Sequence, residues 1–236
     1  RPRRPQDMTL RRMLRGFIPP LLILALWQGA VSGFALPPYL LPGPVQVVQA
    51  LWLNRAEIAG HAGWTAAEVL AGFALGAVLG AGLALAMAAS ERLRDAIRPA
   101  LFVSQTIPVF ALAPLLTLWL GFGMAPKIAV TVLIVFFPVA AAFLDGLAAT
   151  PAAYLDLART MGATMGREMF RVRAPAALPA LATGLRLAAI YAPVGAVIGE
   201  WVGGARGLGA LMIHDNGRMR IDIFFAALLV LAVMTV

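Results

Sequence analysis

The chain has 236 residues, 61% of them hydrophobic and 13% charged, with a mean hydropathy of +0.85, far above that of an ordinary water-soluble domain. A helix needs about 20 apolar residues to cross a bilayer, so this length holds five or six crossings with short loops and leaves no room for an additional soluble enzyme domain. The net charge of +8 reads as basic residues flanking apolar segments, signalling topology and meeting anionic lipid, rather than as a nucleic-acid surface; with no cysteine there is no disulfide framework and no thiolate chemistry.

The basic start leads into a first apolar run at about Phe17 to Leu36, with Pro19 and Pro20 near its beginning, where missing amide donors cost a helix least. No small-residue cleavage site followed by a polar mature domain appears, so the run reads as a retained span and not a signal peptide. Arg1 in first place and an apolar run still continuing at Val236 read as the ends of a piece of a longer chain, its last helix cut. LPPYLLPGP, Leu36 to Pro44, predicts an extended loop outside the membrane leading to a short amphipathic helix at about Val45 to Leu53.

Span two, about Thr65 to Ala89, carries Gly72, Gly76 and Gly80 at four-residue spacing, a smooth stripe for close approach of another helix. After a charged turn, Ser90 to Arg98, a helix through Pro99 to Thr106 leads to span three, Ile107 to Leu120, which Pro108 and Pro114 should kink or break. Span four covers about Pro126 to Leu147, span five Pro179 to Ile198, and span six begins near Ile223. The fold class is therefore all-α: one polytopic membrane domain over residues 1–236 with about six transmembrane helices.

Placing the N-terminus inside puts thirteen arginines on inner segments, among them Arg1, Arg3, Arg4, Arg11, Arg12 and Arg15, against five basic residues outside: Arg55, Lys127, Arg206, Arg218 and Arg220. Positive charge gathers on the cytoplasmic side, so the long 148–178 loop is expected in the cytoplasm. Thr150 is placed to cap a first short helix with Pro151 at its first position. Tyr154, Leu157, Ala158 and Met161 form one apolar face, opposite Asp156, Arg159 and Thr160. Gly162 suits the left-handed helix end, a second helix follows from about Thr164 to Arg173, and Pro175 and Pro179 should prevent its continuation.

This loop resembles the cytoplasmic loop of type I ABC importer permeases, whose pattern is E-A-A, three residues, G, nine residues, I, one residue, L-P. Asp156, Leu157 and Ala158 stand in the first three places, Gly162 at the glycine, Val172 at the isoleucine, Ala174 at the leucine and Pro175 at the proline. Leu157 and Ala174 depart from the pattern while the spacing is kept. The resemblance implies that Asp156, Leu157, Ala158, Gly162, Val172 and Pro175 belong to a coupling helix seated in a groove of a separate ATPase; the residues alone also fit an amphipathic loop resting on lipid headgroups. Ser104–Val130 and Pro193–Met212 are similar to permeases for nitrate, sulfonates, taurine and thiamine-precursor pyrimidines, and GEWVGGARGLGALM with NGRMR is most similar to the hydroxymethylpyrimidine branch. The resemblance implies an inner-membrane subunit with a cytoplasmic N-terminus that pairs with itself, joins ABC ATPase subunits that carry ATP and Mg, and is fed by a periplasmic or lipid-anchored binding protein; no cofactor is expected in this chain.

Ser104, Gln105 and Thr106 precede Pro108, where a helix break would turn backbone groups toward a cavity; they read as a pathway wall or as polar glue between helices. Glu200 at the outer end of span five is costly unless paired or solvated, and is a candidate for meeting a cationic or hydrogen-bonding substrate or for pairing with Arg206 or Arg218. Trp201 beside it is a pathway candidate or a member of the interfacial aromatic belt. Glu68 and Asp145 are placed near span ends in solvated or capping roles. His61 and His214 lack a ligand cluster, so no metal is expected. GGARGLG lacks the lysine of a phosphate loop and reads as a tight re-entrant turn. An ion-driven carrier is the competing class, for which internal repeats and paired buried ionisable groups would be needed.

Overall fold

The computed structural model describes the backbone of residues 5–235 and the side chains of residues 18–235. Within them the elements are helical throughout. The side chains of the six N-terminal arginines counted toward the inner side lie outside the described residues, as does Val236.

Among the described residues three helices are long and apolar enough to cross a membrane. They are α3 (Arg55–Ala89), α6 (Met124–Ala148), and the continuous run that ends as α9 (Ala174–Gly203). A fourth crossing is broken: α4 (Glu91–Ser104) and α5 (Val109–Leu120) meet at 100°. The remaining candidates toward the expected six, among the described residues, are the Ile18–Gly33 part of α1 (Pro5–Gly33) and α11 (Ile221–Thr235). The amphipathic α2 (Pro44–Leu53) follows the proline-rich loop as expected. The remaining elements are α7 (Ala152–Thr160), α8 (Met165–Glu168), a π turn (Met169–Arg173) and α10 (Leu208–Gly217).

α6 lies between α3 and α9, and glycines let it lie close to both. A Cβ on Gly76 of α3 would come within 2.7 Å of Val135 Cγ1, and one on Gly80 within 2.6 Å of the Phe136 carbonyl oxygen. From the other side, a Cβ on Gly195 of α9 would meet Thr131 Cα at 2.8 Å, and one on Gly199 would meet Lys127 Cα at 2.7 Å. Lipid tails are as apolar as the side chains, so close backbone approach, and not solvent exclusion, holds such a sandwich. Two further clusters close its ends. Met87, Leu101, Phe143, Leu147, Met169 and Ala177 join α3, α4, α6, the π turn and α9 at the α7 end. Val47, Ile58, Leu208, Leu211, Met212 and Ile223 join α2, α3, α10 and α11 at the other.

Several sequence expectations are corrected. α3 starts at Arg55 and not Thr65; its 35 residues span about 52 Å, beyond the roughly 30 Å of hydrocarbon, so its polar first turns stand clear of the core. Ser90–Arg98 is not a turn but the start of α4, capped by Ser90 Oγ, which accepts from Leu93 N at 3.3 Å. Pro175 and Pro179 do not stop the helix. The π turn over Met169–Arg173 precedes them and runs straight into α9, with Pro175 in its first turn, where a missing donor is tolerated. Thr150 does not cap α7; Pro151 takes the cap position and the buried Thr150 Oγ1 has no partner among the described residues.

Candidate functional site

Two regions carry the candidate residues: the 148–178 loop, and the polar groups between there and the α10 end. In the loop, α7 closes in a Schellman arrangement. Ala163 N donates to Ala158 O and Gly162 N to Arg159 O, both at 2.9 Å, with Gly162 at φ +78, a conformation that costs any residue with a Cβ. Thr164 Oγ1 then accepts from Arg167 N at 3.4 Å and starts α8. Leu155 and Ala158 are half-buried, whereas Tyr154, Leu157 and Met161 are 61%, 58% and 79% exposed. Three of the four residues of the apolar stripe legible in the sequence therefore face away from the molecule, and Met165 and Phe170 further along the loop are exposed as well. Asp156 is exposed and 3.6 Å from Arg159; Val172 is half-buried and Pro175 exposed.

Sequence reasoning missed the group that fastens this loop. Glu168, 6% exposed, accepts from Arg159 Nε at 3.0 Å through Oε2, and from Arg173 Nε at 2.9 Å through Oε1. Its one signal in the sequence is an acid set among Arg159, Arg167, Arg171 and Arg173.

Ser104, Gln105 and Thr106 form the break between α4 and α5 and are exposed. Ser104 Oγ donates to Leu101 O and Thr106 Oγ1 to Val103 O, each at 2.7 Å, and Val103 O also accepts from Thr106 N at 3.0 Å, so these hydroxyls turn back onto the end of α4. Gln105 Nε2 reaches only Ser104 Oγ, at 3.4 Å. Beside them is a cavity of about 340 Å³ lined by Leu101, Ser104, Gln105, Leu112, Leu133 and Phe136.

Glu200 belongs elsewhere. It is 1% exposed and pairs with neither Arg206 nor Arg218. Oε1 accepts from Thr65 Oγ1 at 2.7 Å and Oε2 from Gly209 N at 2.5 Å. Thr65 Oγ1 in turn accepts from Leu208 N at 2.8 Å, and His61 Nδ1 lies 3.1 Å from Gly207 N. Gly207, at φ +112, leaves no room for a Cβ against the Glu200 carboxylate. The GGARGLG turn is thus fitted around one buried acid. Glu68, expected near a solvated span end, is 0% exposed and accepts from Lys127 Nζ at 3.0 Å. Lys127, counted as an outer basic residue, is itself buried and also donates to Arg206 O at 2.9 Å. Arg206 lies over the Trp64 ring, 4.9 Å from its centre, and Trp201 stays partly exposed on α9. The break stands at the start of α5 and this network beyond its far end; twelve residues separate them by about 18 Å, so the structure does not bring Ser104–Thr106 and Glu200 together. Among the described residues no cluster of histidines and acids suits a metal.

The described residues thus form a helical body with membrane-crossing helices, one broken crossing, and a loop helix with an exposed apolar face. Residues 72–236 match the family described as binding-protein-dependent transport system inner membrane component. The chain is 47% identical over 220 residues to a probable ABC transporter permease protein of Haemophilus influenzae, covering 93% of this chain and 90% of that one. It is 42% identical over 190 residues to the formylaminopyrimidine transport permease protein ThiX of Halalkalibacterium halodurans (80% and 76% covered), and 35% over 217 residues to the riboflavin transport system permease protein RibX of Chloroflexus aurantiacus (91% and 81%). The chain belongs to this family of ABC importer permeases, within the group whose members are named for pyrimidine, sulfonate and taurine transport. It is a multi-pass inner-membrane subunit for import of a small solute and not an enzyme; ATP hydrolysis lies on a separate chain, and a binding protein supplies the solute. That membership replaces the alternative of an ion-driven carrier.

Proposed function

We propose that this permease imports a thiamine-precursor pyrimidine of the hydroxymethylpyrimidine type, as a homodimer in the bilayer joined by two ATPase subunits that carry ATP and Mg, and that α7 is its coupling helix. The substrate reading is supported by the 42% identity to a formylaminopyrimidine permease over 80% of the chain. The coupling reading is carried by one observation: α7 ends on a glycine-capped elbow and turns Tyr154, Leu157 and Met161 outward, as a short lever that fits a groove of another protein must. A cytoplasmic N-terminus is supported by the arginine distribution, which stays lopsided after the buried Lys127 is taken out of the outer group.

The broken α4–α5 crossing supplies the proposed pathway wall. Gln105 presents an amide at the break beside the cavity, suited to hydrogen bonding a small polar heterocycle. Glu200 has both carboxylate oxygens engaged within the protein, which favours a role in holding α3, α9 and α10 together.

The substrate is tested by reconstituting the permease with its ATPase and binding protein in liposomes and measuring ATP-dependent uptake of labelled hydroxymethylpyrimidine and of taurine. Saturable uptake of the pyrimidine alone is the expected result. Uptake of taurine or another sulfonate in its place moves the chain to the sulfonate and taurine branch.

A further inference from the structure

The coupling reading of α7 leaves open how a push on that helix reaches the membrane. α7 joins α6 at its start through Ala149–Pro151 and the α9 side of the body at its end through Met161–Thr164, an elbow with Gly162 in the left-handed conformation; Tyr154, Leu157 and Met161 on its outer face are exposed. Pushed, a short helix bends at such an elbow, so its movement passes on to α9, and not to α6 alone, where a second, stiff connection spans the bend.

Resting on that reading, we infer that Glu168 is this connection: a positioning residue that locks α7 to the base of α9. Its two oxygens are divided between the elements. Oε2 takes Arg159 Nε from α7 at 3.0 Å, while Oε1 takes Arg173 Nε and Nη2, at 2.9 and 2.7 Å, from the end of the π turn. Charge-assisted bonds of this kind are short and directional; the Glu168 side chain is 7% and Arg173 23% exposed, which shields that pair, while Arg159 is 57% exposed and its bond is partly open to water.

What lies behind the lock supports the assignment. The next residue, Met169, is 6% exposed and packs with Met87 of α3, Leu101 of α4 and Phe143, Leu144 and Leu147 of α6. Leu101 in turn lines the cavity at the α4–α5 break. A close-packed interior transmits displacement where a loose loop absorbs it, so the route runs from α7 through Arg159, Glu168 and Met169 to the broken crossing. The π turn occupies the residues between Glu168 and α9, the Glu168–Arg173 bonds span it, and single π turns inside helices are frequent at functional sites.

The test is Glu168→Gln, which keeps the side chain's shape and removes its charge, in the complete permease, ATPase and binding-protein complex in liposomes. The probe is labelled hydroxymethylpyrimidine, or taurine where the wild-type complex imports that instead. The ATPase is expected to co-purify in wild-type amount, ATP hydrolysis to continue, and the half-saturating solute concentration to hold. Maximal uptake, and with it solute moved per ATP, is expected to fall by about tenfold. Arg159→Gln, a change on the exposed helix that leaves the Glu168–Arg173 pair in place, is expected to lower the same ratio, and Arg159→Lys to lower it less. An unchanged ratio in both Gln variants overturns the inference, and so does loss of the ATPase from the Glu168→Gln complex. Failure of the underlying coupling reading shows separately, as an ATPase that stays bound to a Leu157→Asp permease.

Discussion

Lys127 on α6 donates to Glu68 on α3 at 3.0 Å; the Lys127 side chain is 6% exposed and the Glu68 side chain not at all. Removing one partner of such a pair leaves an uncompensated charge in a medium that cannot solvate it, at about 3–5 kcal/mol, whereas removing both costs far less. Lys127→Met is therefore expected to lower the thermal midpoint of the purified permease sharply, and Lys127→Met with Glu68→Gln to recover more than half of the loss. A double variant no better than the single one would show that the attraction between these residues does not hold α3 to α6.

Gly80 and Gly82 stand on the same helix in different surroundings. A Cβ on Gly80 would meet the Phe136 carbonyl oxygen at 2.6 Å, while nothing lies within 4 Å of one on Gly82. Gly80→Ala is expected to destabilise by about 1–3 kcal/mol through overpacking. Gly82→Ala is expected to be neutral or to stabilise by up to about 1 kcal/mol through helix propensity. Thermal unfolding of the two variants, side by side, measures the contrast.

Gly162→Pro combines two conflicts: proline holds φ near −65° while this position needs +78°, and it removes the amide that donates to Arg159 O. Transport is expected to be abolished while membrane insertion and yield stay at wild-type levels. Uptake at the wild-type rate would take the loop out of the mechanism.

Gln105 and Glu200 are expected to separate when each is replaced by alanine. Gln105→Ala, at the exposed break, should alter the rate or half-saturation of uptake and leave stability alone. Glu200→Ala strips acceptors from Thr65 Oγ1 and Gly209 N, and a buried donor left unpaired costs about 1–3 kcal/mol, so its first effect should be a lower thermal midpoint. Normal uptake by Gln105→Ala would remove that residue from the pathway.

The sequence exposes what depends on local pattern and hides what depends on distant partners. Hydropathy located the long crossings, four-residue spacing located the Gly72–Gly80 stripe, and Gly162 marked the loop's elbow, because each is written within a few residues. Glu68 reads as solvated or capping because the sequence places the start of span two at about Thr65, close beside it. Its partner Lys127 lies 59 residues further on, where no periodicity links them. Pro175 and Pro179 were read as stops because their effect was judged one residue at a time, and the π turn that precedes them has no local signature. For Glu200 the sequence offers a substrate contact or an arginine partner; the structure gives it a hydroxyl and an amide, which no charge count finds.

The chain contains no cysteine, so a single introduced thiol reports one position without ambiguity. The most direct measurement places Leu157→Cys on α7 or Trp52→Cys on α2, labels each with a thiol-directed photoactivatable cross-linker in membranes that contain the ATPase, and identifies what is captured. Capture of the ATPase from Leu157→Cys and not from Trp52→Cys is the expected result. Capture from Trp52→Cys alone would contradict the placement of α7 as the helix through which ATP hydrolysis drives this importer.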